Sequence, residues 1–168
     1  MSIAEKLLPE FDREFSSTRK FLALIPDDKI SWKPHAKSME LGRLASHISD
    51  FSERAYQVLT QPERVVTPEE LAQRRDAWKS ATRESIVSKF DGSLQKAHDA
   101  LASMPDAKWD TSWKLVFSGR TVFDGPRGLA YRNIVVSHMI HHRAQLGLYL
   151  RLNDIAIPGT YGPSADEQ

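Results

Sequence analysis

The chain has 168 residues, a net charge of +1 and 27% charged residues, which suits one domain and offers neither a basic field for nucleic acid nor an acidic tail. It contains no cysteine, which excludes disulfides, iron–sulfur ligation and thiolate metal sites, so any nucleophilic thiol must come from another molecule. Met1-Ser2-Ile3-Ala4-Glu5-Lys6 lacks the plan of a signal peptide, and no apolar run approaches the ~20 residues that span a bilayer. The expectation is a single cytoplasmic domain, residues 1–168, with no nucleic-acid or membrane partner.

The periodicity is helical almost throughout. Between Ile3 and Ile25, apolar residues recur at Leu7, Leu8, Phe11, Phe15, Phe21, Leu22 and Ile25, and Pro9 marks a candidate true first turn. Pro26-Asp27-Asp28 ends this helix and opens a loop carrying Trp32 and Pro34. Ser38 is a candidate N-cap for a second helix that runs to about Leu59, with Leu41, Leu44, Ile48, Phe51, Ala55 and Val58 on one stripe and His47 inside it. Thr67-Pro68-Glu69-Glu70 is a strong helix start, leading into a short polar helix that ends near Trp78. A third long helix is expected from about Thr82 to Ser103.

From Lys108 to Arg127 the helical period disappears. Trp113–Phe117 and Arg120–Phe123 alternate around Ser118-Gly119, which predicts a short hairpin closed by Gly125-Pro126. Whether this excursion gates a site or merely covers one stays open. A fourth helix is expected from about Gly128 to Leu152, with Tyr131, Ile134, Val135, His138, His142, Gln145 and Tyr149 on a common face. The predicted fold class is all-α, a four-helix bundle with a hairpin-like excursion before the last helix.

His138 and His142 carry the sharpest chemical signal. Positions i and i+4 on a helix share a face, so two imidazoles there can chelate a divalent cation, and His47 from a neighbouring helix would complete a three-histidine set. His47 alone reads as an ordinary satisfied core residue. The pair differs, because two inward imidazoles on one turn need buried partners, and a cation supplies both. Three protein ligands leave one coordination position open, as in catalytic rather than structural sites. The ion would be zinc or nickel ahead of iron or manganese.

Gln145 and Tyr131 share the His138/His142 face and are candidate pocket-lining residues, although both also suit ordinary packing. His141 could flank the site, and Trp32 could line the mouth of the bundle. His98 reads as solvated and His35 as a loop residue. No Glu-x-x-His or His-Glu-x-x-His run exists, which argues against a ferritin-like di-iron centre and a helical metalloprotease.

Several blocks together resemble the DinB-like superfamily. They are Leu24-Ile25-Pro26-Asp27-Asp28 with Trp32-Lys33-Pro34, then Met39 through Ile48, then Ser137 through Leu146, continued by Ile157-Pro158 and Tyr161 through Ala165. The resemblance spans the whole chain, and its last helical block is the most specific. It implies a four-helix bundle with non-sequential helix order, a homodimer, and a metal site whose ligands fall on His47, His138 and His142. It also implies a metal-dependent enzyme, either a hydrolase or a transferase that uses a low-molecular-weight thiol, acting on a small-molecule substrate through a metal-activated water or thiol. The alternative is a non-catalytic bundle that binds a metal or ligand, and a third reading is a structural domain without metal.

Overall fold

The computed structural model describes residues 1–167. The first helix, α1 (Ile3–Leu22), starts earlier than Pro9 because its first turn is capped reciprocally. The Ser2 hydroxyl accepts from the Glu5 N–H (3.1 Å) while the Glu5 carboxylate accepts from the Ser2 N–H (2.7 Å). Pro9 therefore lies inside the helix, and the residues before it are not frayed.

The second helical run comes as α2 (Leu41–Ser49) and α3 (Phe51–Thr60), separated only by Asp50, which keeps helical dihedrals. Its start is capped by backbone, not by Ser38 as expected. The Leu41 and Gly42 N–H groups donate to the carbonyls of Trp32 (2.8 Å) and Ile30 (2.9 Å) in the preceding loop. That docking is tight enough that a Cβ on Gly42 would lie 2.5 Å from Ile30 Cγ2. Glycine is what allows the loop to close onto the helix start.

The next segments are β1 (Glu63–Val66), the polar helix α4 (Pro68–Ala77) capped by Thr67, and α5 (Arg83–Ala102) capped by Thr82. The excursion forms the predicted hairpin, β2 (Ser112–Phe117) and β3 (Arg120–Pro126), turning through Ser118 and Gly119, both at positive φ. Gly125-Pro126 lies within β3 rather than beyond it. The last helical run is not uniform: α6 (Arg127–Ala130) passes into a π-helical segment at Tyr131–Ser137 and then into α7 (His138–Arg151).

The all-α expectation needs correction. The protein is mostly helical but carries a three-stranded sheet, in which β1 pairs parallel with β2 and β2 pairs antiparallel with β3. The Glu63–Val66 strand escaped the sequence reading because four residues give almost no period, and its partner lies some fifty positions away. Arg127 pins the end of the hairpin, donating to the Gln61 carbonyl (2.7 Å) just past α3.

Among the long helices, α1 packs on α5 and α7, α2 packs on α5 and α7, and α3 packs on α5 and the π-helical segment. The first two helical runs thus do not pack closely on each other. Phe11, Phe15, Leu22, Leu44, Ile48, Phe51, Phe90, Leu101, Met139 and Leu146 fill the space between the helices.

Candidate metal centre and its pocket

His47 projects from α2 and His138 and His142 from the first turns of α7. Their ligating nitrogens converge: His138 Nε2 lies 2.9 Å from His142 Nε2 and 3.5 Å from His47 Nε2. A tetrahedral ion with Zn–N bonds of 2.0–2.1 Å places its nitrogens roughly 3.3 Å apart, so the spacing matches the edges of a coordination tetrahedron. No further histidine, aspartate or glutamate joins the three among the described residues.

The proton positions sharpen the fit. His142 Nδ1 is 2.8 Å from Gln145 Oε1, an acceptor, so Nδ1 carries the proton and Nε2 presents a lone pair. His138 Nδ1 lies 3.5 Å from Arg54 Nη1. With its lone pair forward, His142 Nε2 can accept from a His138 Nε2–H at 2.9 Å or, beside the other two Nε2 atoms, ligate a cation. An added proton does not suit the cluster. Burial first, and then the Arg54 charge, lowers the pKa of His47 to about 3 and of His138 to about 4. Burial also lowers that of His142, against the opposing pull of Gln145.

The Nε2 cluster opens into a cavity of about 840 Å³. One wall comes from α2 and α3, a second from α4, and a third from the sheet through Val66, Trp113, Leu115 and Phe117. The excursion therefore lines the pocket, and α4, which buries none of its own residues, has its Leu71, Arg74 and Arg75 facing the same space.

The other candidates divide. Gln145 orients His142, and exposed His141 lies edge-on to it with ring centroids 4.9 Å apart. Neither lines the cavity, and nor do Tyr131 and Trp32. Tyr131 is buried edge-on against Trp109, and Trp32 packs edge-on against Tyr149 at 5.5 Å. For Tyr131 the reason is the π-helical segment: its wider turn takes an extra residue and rotates what lies upstream off the His138 face. His35 is exposed, and His98 is partly exposed, edge-on to Phe11 at 5.8 Å and beside Asp12 and Asp99.

Two groups near the site were not singled out from the sequence. Arg54 sits over the Phe51 ring, 4.6 Å from its centroid, with Nη1 3.5 Å from His138 Nδ1. Its spacing of seven from His47 places both on one helical face, a signal that was readable. On the far side of α7, Arg143 and Glu14 form a buried ion pair at 2.7 Å, with side chains 3% and 1% exposed. Tyr161 donates to the same carboxylate at 2.8 Å, tying the C-terminal segment to α1. Burial pushes the Glu14 pKa up, but the hydrogen bonds from Arg143, Tyr161 and Arg13 outweigh it and hold the carboxyl below its usual range.

Comparison with known proteins gives a consistent result. The family model for the DinB superfamily matches residues 10–146. A DinB-like protein from Bacillus cereus ATCC 10987 superposes with a TM-score of 0.68 at 20% identity, covering 94% of this chain and 97% of the other. A DinB-like protein from Bacillus subtilis, YjoA, gives 0.67 at 16% identity, covering 92% and 96%. A protein assigned to the DinB family from Exiguobacterium sibiricum 255-15 gives 0.65 at 22% identity, covering 95% and 97%. At these identities the likeness speaks for the fold. No curated protein matches the chain.

Proposed function

The chain belongs to the DinB superfamily, and from that premise we infer that it is a metal-dependent enzyme acting on a small molecule, as a hydrolase or as a transferase using a low-molecular-weight thiol. The observation that carries the reading is the triad of Nε2 atoms, 2.9 Å and 3.5 Å apart, facing one another at the end of a cavity. His47, His138 and His142 would hold a divalent ion, zinc or nickel ahead of iron or manganese. Bound there, the ion supplies Lewis acidity that lowers the pKa of a water or thiol at its open position.

The protein's own groups do the remaining work. Gln145 holds the His142 ring with Nε2 forward. Phe51 lies edge-on against His47 and His138, with centroids 5.4 Å and 5.1 Å away, and excludes water from the inner face of the triad. Trp78, Trp113 and Phe117 give the cavity apolar walls against which a substrate can be oriented. A purely storing or sensing module would complete the coordination sphere with a fourth protein ligand, and among the described residues none is present. On the same premise the four long helical runs form the family's bundle, and the protein works as a cytoplasmic homodimer.

The test is metal content by mass spectrometry on tag-free protein, beside a His138→Ala/His142→Ala variant. One equivalent in the wild type and none in the variant is the expected result. Metal-loaded protein should then turn over a substrate when glutathione, bacillithiol, mycothiol or water is the nucleophile. No metal in either protein, even after zinc or nickel is supplied, would overturn the reading.

A further inference from the structure

The cavity is lined by more cations than its own acids can neutralise. Arg43, Arg54, Arg64, Arg74, Arg75 and Lys89 reach its walls, against Asp50 and Glu53. Both acids are already engaged. Asp50 takes Arg74 at 3.2 Å and Lys89 at 2.6 Å, while Glu53 takes Lys96 at 2.7 Å and Ser93 at 2.6 Å. Arg64 and Arg74 share Glu70.

Arg54 is different. Among the described residues no carboxylate pairs with it, and its recorded polar contact is His138 Nδ1 at 3.5 Å. A neutral imidazole nitrogen at that distance carries no charge to balance the guanidinium. The guanidinium is stacked on Phe51 and half-buried at the cavity wall; burial lowers its basicity and nearby Asp50 opposes this, but an arginine stays charged under any working condition. A half-buried guanidinium with no carboxylate in salt-bridge contact is an unfavourable arrangement in a finished core. In a cavity it is a binding group waiting for its counter-ion.

We propose that the pocket binds an anionic small molecule, whose carboxylate or phosphate is taken by the Arg54 guanidinium beside the open position of the histidine triad. The proposal rests on reading that cavity as the substrate site and adds the chemical class of the ligand. Arg43 and Arg75, which also carry no carboxylate partner among the described residues, extend the positive field towards the cavity mouth and draw anions in. The acceptor oxygens would lie within reach of Arg54, fixing the end of the ligand so that its reactive atom faces the triad.

The experiment is titration of the full-length protein with inorganic phosphate and, separately, succinate at constant ionic strength. Pocket tryptophan fluorescence from Trp78 and Trp113 reports binding, and chelator-treated and zinc-loaded protein are compared. Wild type should bind in both forms. Arg54→Gln should bind roughly 10- to 100-fold more weakly in both forms, the loss of a charge-assisted contact, while retaining the wild-type metal stoichiometry. Arg54→Lys should recover part of the affinity, because it keeps the charge and loses the forked geometry, and it decides the matter if Arg54→Gln does not fold. Equal binding by wild type and a folded variant, no binding by wild type, or binding only when zinc is loaded would each overturn the proposal. Failure of the metal reading is seen separately, as wild-type protein that binds the anion yet never takes up an ion.

Discussion

Three imidazoles that share one small volume must each be kept neutral, and the surroundings do this by exclusion of water and by the Arg54 charge. The consequence for stability has a definite sign. Below the ordinary imidazole pKa of 6.5, the unfolded chain binds protons at His47 and His138 that the folded chain refuses until about pH 3 and about pH 4. Metal-free protein therefore loses stability as the pH drops from 6.5 towards 4, because the unfolded state holds more protons. Denaturant melts of chelator-treated protein between about pH 7 and about pH 5 should show this slope, and His47→Gln/His138→Gln should flatten it; an unchanged slope would refute the account. On the opposite side of α7, Glu14→Gln leaves Arg143 charged and buried without its carboxylate and should cost roughly 3–5 kcal/mol. Adding Arg143→Met to that variant should restore part of the loss, since the orphaned charge is what hurts. Equal denaturation midpoints for Glu14→Gln and wild type would show that the pair contributes nothing.

The elements explain how much of this was legible. The helix starts at Thr67 and Thr82 were readable because their caps are local, written within four residues. The hairpin was readable for the same reason: Ser118-Gly119 separates two short alternating runs. The start of α2 was not, because its cap is the backbone of Trp32 and Ile30, and backbone carbonyls leave no trace in residue identity. The π-helical segment was equally silent, so the expected face kept His138 and His142 but wrongly included Tyr131. Gly42 shows what such non-local docking demands. Gly42→Ala should lower stability by about 1–3 kcal/mol through overpacking against Ile30, leaving the metal stoichiometry of the folded protein unchanged. A thermal melt superimposable on that of wild type would mean the loop yields freely.

For the molecule as a whole, no helix among the described residues is long and apolar enough to cross a membrane, and its exposed apolar side chains gather in part at the end of α7. Leu148 on α7 and Leu152, the residue that caps it, are 58% and 53% exposed. The homodimer proposed from family membership would use such a face, and sedimentation at micromolar protein should give a species of twice 19.1 kDa. A single species of 19.1 kDa would remove the dimer. The histidine pair, read from spacing alone, and the helical class were evident in the sequence. The cavity was not, since its walls come from four separate stretches of chain that only the folded backbone brings together.

Those walls have a property that the inner core lacks. The α4 helix buries none of its own residues, and the hairpin faces the cavity with only part of β2. Changes at Leu71, Arg75 or Phe117 can therefore reshape the cavity at little cost to folding, while the helices beneath hold the three imidazoles in register. Selection can reshape the cavity one wall position at a time, and the three-histidine cluster need not be rebuilt on each occasion.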